Sequence, residues 1–83
     1  MSFSSHRKKA LDENQPIAHR ASHARSCAVC VCEKYRVPRS KVLEEIQKIT
    51  GVNLNDVTSH NEIVNAMEAM EGLKLNGINS DNS

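Results

Sequence analysis

Residues 27–46 read CAVCVCEKYRVPRSKVLEEI, two helix-like halves that meet at Val37-Pro38. Proline fixes its own φ and drives the residue before it out of the helical region. A helix entering this stretch therefore ends before Val37, and another starts at or just after Pro38. Upstream, Ile17, Ala21, Ala24, Ala28, Val31 and Tyr35 recur in steps of four, three, four, three and four, which is one helical face. Pro16, behind Asn14-Gln15, is the start signal. The pattern fits one helix over 16–35, or two broken between Ser22 and Ser26. Downstream, Val42, Leu43, Ile46 and Ile49 form the stripe of a second helix, and Gly51 stands where a helix commonly ends.

Further out, Ser59-His60-Asn61-Glu62 is a capping-box pattern, a serine and a glutamate able to satisfy each other's backbone amides. Ile63, Val64, Met67 and Met70 follow at helical spacing up to Gly72, so the second and third helices are expected to pack together. The link Val52–Thr58 alternates only briefly and cannot build a sheet alone. Residues 1–14 show no sustained period, and 76–83 are rich in Asn, Ser and Gly. The expectation is all-α: a small domain of three to four helices over residues 15–75, with a disordered basic tail over 1–14 and a disordered tail over 76–83.

With 83 residues, of which only Phe3 and Tyr35 are aromatic, the core is thin and self-association is expected to complete it. The apolar face of the third helix, Ile63, Val64, Met67 and Met70, is the expected homodimer or partner-protein interface. Charge is divided along the chain. Residues 1–41 carry nine Lys and Arg against three Asp and Glu, or +6, whereas residues 42–83 carry two against seven, or −5. A basic half of this kind suits a polyanion.

The pattern of residues 27–46 resembles the helix-turn-helix of DNA-binding regulators. Cys32 stands at the small residue of the first helix, Val37 at the buried aliphatic of the turn, and Val42 at the inward position of the second helix. Two positions depart from the pattern. Arg36 occupies the place usually held by glycine and would have to adopt a positive φ. Glu44 and Glu45 put negative charge on the helix that would enter the major groove. The resemblance implies double-stranded DNA as partner, read by a dimer. Arg36, Arg39, Ser40 and Lys41 would make contacts at the turn, and Lys8 and Lys9 would lie along the duplex as a mobile arm. The alternative is a helical adaptor that binds a partner protein through the helix at 59–72.

His23, Cys27, Cys30 and Cys32 form a His-x3-Cys-x2-Cys-x-Cys run, with His19 one turn earlier. These are zinc-type ligands, but one straight helix cannot wrap four ligands around one ion. The alternative is that the cysteines pack as small buried hydrophobes. No cofactor is expected; if these side chains hold a metal, zinc fits them, and the soft thiolates would also accept copper(I). Three cysteines so close together are not a disulfide framework, and residues 1–15 lack an apolar leader. A reducing location follows: the cytoplasm, with the nucleoid in a bacterium or the nucleus in a eukaryote. No stretch is long and apolar enough for a membrane helix. There is no glycine-rich phosphate loop, and the adjacent Glu44 and Glu45 do not face each other as a catalytic pair. A binding protein without a small-molecule substrate is expected, not an enzyme.

Overall fold

A computed structural model describes residues 2–77, which form four α-helices: α1 Phe3–Ala10, α2 Ile17–Tyr35, α3 Arg39–Thr50 and α4 His60–Asn76. The fold is all-α, with no strand among the described residues. α2 is the axis, and α1, α3 and α4 all pack on it. Its contact face is Ala21, Ala24, Cys27, Ala28 and Val31, small side chains that let three neighbours approach closely. It runs unbroken through Ser22–Ser26, where the Ser26 hydroxyl donates to the Ser22 carbonyl within the same helix.

Residues 1–14, expected to be a disordered tail, instead carry α1. The Ser2 hydroxyl caps its first turn by accepting from the Ser5 amide, and the basic run Arg7-Lys8-Lys9 falls in its last turn, where it complements the helix dipole. α1 is docked antiparallel on the first half of α2. The Cys27 thiol lies against the Phe3 carbonyl, His6 meets His23, and Arg20 donates to the Ala10 carbonyl. Phe3 and Ala10 are buried in the common core. Only two apolar anchors, seven residues apart, hold this helix, so it leaves no sustained stripe in the sequence. The C-terminal tail expected over 76–83 begins at the last residue of α4, and residues 78–83 lie outside the described residues.

α4 lies parallel to α2. Arg20 meets His60 at one end, and at the other Lys34 and Tyr35 both donate to the Lys74 carbonyl, closing the last turn of α4. Its start is the expected capping box: the Ser59 hydroxyl accepts from the Glu62 amide, and the Glu62 carboxylate accepts from the Ser59 amide at 3.2 Å. That carboxylate also takes the Thr58 amide, and these bonds hold the Glu62 carboxyl below the usual glutamate range. α4 continues through Gly72 to Asn76, longer than expected, because its buried face extends to Leu73. α3 ends at Gly51 in the left-handed conformation, as expected. In the link that follows, Val52 and Leu54 are buried, and Arg25 holds the Leu54 carbonyl at 2.9 Å.

Candidate nucleic-acid interface

α2 closes on Arg36, which adopts φ 57° and ψ 45°. It is the one non-glycine residue with positive φ among the described residues. The Arg36 amide turns back to the Cys32 carbonyl, and the Val37 amide reaches the same oxygen at 3.0 Å. This is a left-handed helix stop built without glycine. Val37 then packs against the core, and Pro38, with ψ 148°, redirects the chain into α3. No side chain caps the first amides of α3. Cys32 is half-buried beneath the turn, and Val42 is fully buried.

The basic residues divide into those the fold consumes and those it leaves outward. Arg20, only 2% exposed, bridges the Ala10 carbonyl and the His60 ring, and Arg7 pairs with Glu71. Arg25 and Lys34 donate to main-chain carbonyls. Lys41 lies 3.4 Å from the carboxylate of Glu45, which is buried and also held by Lys48 at 3.4 Å. Lys41 therefore neutralises Glu45 from within α3, and to contact a phosphate it would have to leave that partner. Arg36, Arg39, Lys8 and Lys9 are exposed, and none of them forms an ion pair among the described residues. Ser40 is exposed beside Arg39.

These outward charges form two groups. Lys8 and Lys9 ride on a docked helix, not on a mobile arm, level with the Arg20–His23 part of α2. Arg36 lies 13 to 16 residues further along α2, about 20–24 Å at ~1.5 Å per residue. Arg36, Arg39 and Ser40 are brought together; Lys8 and Lys9 are not brought to them.

The other two expected sites are not assembled. Ile63, Met67 and Met70 are at most 1% exposed within a single chain, and Val64 is half-buried, so this stripe is core and not an interface. It is covered by α2, by Phe3 of α1 and by the Val52–Leu54 link, and α1 belongs to the stretch expected to be a tail. The expected metal set also disperses. The Cys27 thiol is buried at the Phe3 carbonyl, the Cys32 thiol turns to the Val29 carbonyl of its own helix, and Cys30 packs against the core. Burial first, and then the neighbouring Cys30, push the Cys27 thiol up to about 12. His23 faces His6 and His19 instead of the cysteines.

Two features were not anticipated. The buried Arg20 was hidden because a lone arginine in a helical pattern looks like any solvated charge. Ile49, read as part of the buried stripe of α3, is 58% exposed and stands over an open groove of about 580 Å³ between α3 and α4, with Glu68, Ala69 and Gly72 on the far wall. Comparison with protein families, curated proteins and solved structures finds no match for this chain.

Proposed function

We propose that this chain binds double-stranded DNA through α2, the Arg36 turn and the start of α3. The observation that carries the reading is that turn. A backbone conformation unfavourable for arginine is kept at Arg36, and it leaves Arg36, Arg39 and Ser40 outward and unpaired at one corner. Arg36 and Arg39 suit phosphate or guanine edges, and Ser40 suits a phosphate oxygen. Two copies on one duplex belong to this reading. With Ile63, Met67 and Met70 enclosed, the large apolar side chains left exposed for their contact are Ile49, beside Ala69 on the face of α3 and α4, and Leu75 near the end of α4. Such a role places the protein with the nucleoid or in a nucleus; among the described residues no helix is long and apolar enough to cross a membrane.

Fluorescence anisotropy with random duplex, at low and near-physiological salt, tests the reading. Arg36→Ala with Arg39→Ala is expected to remove most of the binding while leaving the helical circular-dichroism signal intact. No affinity for duplex at low salt refutes it. A second reading, an adaptor for another protein, is favoured by Ile49 over its groove. It requires an association that survives high salt and is lost in Ile49→Asp, with no affinity for nucleic acid.

A further inference from the structure

Three of the chain's four histidines gather where α1 crosses the first half of α2. His19 and His23 stand one turn apart on α2, and His6 meets His23 from the antiparallel α1. The Nδ1 atoms of His6 and His23 are 2.9 Å apart and their ring centres 5.2 Å apart, so the rings meet nitrogen to nitrogen in a hydrogen bond. Such a bond needs one Nδ1 that carries a proton and one that does not. Two neutral rings satisfy it, and so does a pair holding one extra proton. Two protonated rings do not, because two N–H donors then point at each other with a positive charge behind each.

The surroundings give a second proton no partner. His19 stands edge-on to His23 at 5.0 Å, and Lys9 adds its charge from α1. Arg7 of α1 and Glu71 of α4 neutralise each other, and Lys74 of α4 lies over the Phe3 ring. Asp12 shares a shallow pocket with His19 and Lys9. Among the described residues, no carboxylate comes within ion-pair distance of His6, His19 or His23. His60 differs: its Nδ1 meets Arg20, but the Glu13 carboxylate stands 4.0 Å from its other nitrogen, a partner for a protonated ring. α1 is eight residues long, too short to persist as a free helix, and only Phe3 and Ala10 anchor it in the core.

We propose that the His6–His23 hydrogen bond is an acid-sensitive latch, which holds α1 on α2 while at most one of the two imidazoles is protonated and releases it when both are. Release withdraws Phe3 and Ala10 from the core and takes the Phe3 carbonyl from the Cys27 thiol. Burial first, then His19, His6 and Lys9, hold the His23 imidazole below its usual range. The sign follows: the contact contributes fully above the ordinary 6.5 and is lost as pH falls from there through the lower folded value. The latch rests on nothing in the DNA reading, since the Arg36 corner lies at the other end of α2.

Amide exchange of the full chain, corrected for the intrinsic rate, tests it at about pH 7.5 and about pH 5.5, either side of the ordinary histidine value. Opening frees both rings to titrate, whereas the closed pair admits one proton, so opening takes up about one extra proton across the interval. Protection of α1 is therefore expected to fall about tenfold, and that of α3 to hold. Asparagine keeps a hydrogen-bonding group near the Nδ1 position without titrating, so His6→Asn should remove most of the fall. Unchanged α1 protection in the parent chain, a parallel loss in α3, or an undiminished fall in His6→Asn overturns the latch. Should His6→Asn fail to dock at the higher pH, the ring-carbon chemical shifts of the parent decide. The second proton entering together with the loss of α1 protection supports the latch, and both imidazoles protonated while α1 stays protected overturns it.

Discussion

Replacing Arg36 by glycine separates the two roles assigned to this residue, because it should strengthen the fold while weakening DNA binding. A residue with a Cβ in the left-handed region costs roughly 1–2 kcal/mol, and Arg36 sits there at φ 57°. Glycine removes that strain but returns about 0.4–1 kcal/mol through its greater freedom in the unfolded chain. The Arg36 side chain is exposed and makes no ion pair, so its loss takes little packing with it. The net is about 0–1.6 kcal/mol in favour of the variant, at ~4–8 °C of melting temperature per kcal/mol for a domain of this size. Arg36→Ala is the control, since it removes the same charge but keeps the strain and should not gain stability. Differential scanning calorimetry reads the fold, and duplex anisotropy against salt reads the function. Both variants should lose about one unit of log–log salt slope for each phosphate contact removed. A destabilised Arg36→Gly would refute the left-handed turn, and duplex binding undiminished in both variants would refute the contact.

Other outcomes follow from the core and from the titrating groups. Met70→Ala should destabilise a single chain by about 2–5 kcal/mol, read from the urea midpoint, because Met70 is fully buried beneath α2; a loss well under 1 kcal/mol would return this stripe to the surface. Cys27 should resist iodoacetamide long after Cys30 and Cys32 are modified, as mass spectrometry would show. Its folded value of about 12 lies above the ordinary 9.0, so its contribution to stability is complete below pH 9 and is lost as pH rises from there toward 12. For Glu62 the sign reverses. Its folded pKa is depressed, so the cap contributes fully above the ordinary glutamate range and is lost as pH falls through the folded value. Amide protection at the start of α4, corrected for the intrinsic exchange rate, should fall under acid in the parent chain but be already low in Glu62→Ala.

Features with a local cause were legible in the sequence. The Val37-Pro38 break, the positive φ demanded of Arg36, the Gly51 stop and the Ser59–Glu62 capping box each arise within a few residues, and each stands where the sequence puts it. What needed the tertiary fold was not legible. Phe3 and Ala10 become anchors only because α2 offers an alanine surface at Ala24 and Ala28, and nothing between them announces a helix. Once α1 is placed, the stripe at Ile63, Met67 and Met70 has cover, and the argument for a dimer through that stripe disappears. A stripe tells which face is buried but not what buries it. Ile49 shows the converse, an aliphatic at helical spacing that the crossing of α3 over α4 leaves outward. His6 and His23 meet across 17 residues of sequence for the same reason: the antiparallel docking of α1 sets the register.

The charge asymmetry has to be recounted in the same way before it is used as evidence for a polyanion. Of the nine basic residues in the first half, Arg7, Arg20, Arg25, Lys34 and Lys41 are held by carboxylates, carbonyls or a histidine ring. Four remain, and they stand in two pairs about 20–24 Å apart along α2. If all nine met phosphates, the log–log dependence of affinity on salt would have a slope near −8 per protomer. Arg36 and Arg39 alone give about −2, and with Lys8 and Lys9 the slope reaches about −3.6. Lys8→Ala with Lys9→Ala chooses between the last two values. An unchanged slope confines the duplex to the turn, and a drop of about two units means that it spans the length of α2. A slope near −8 in the parent chain would mean that the buried and paired arginines are released on binding. That cannot happen while α1 stays docked, since Arg7 and Arg20 both help to hold it, so such a result would contradict the four-helix packing itself.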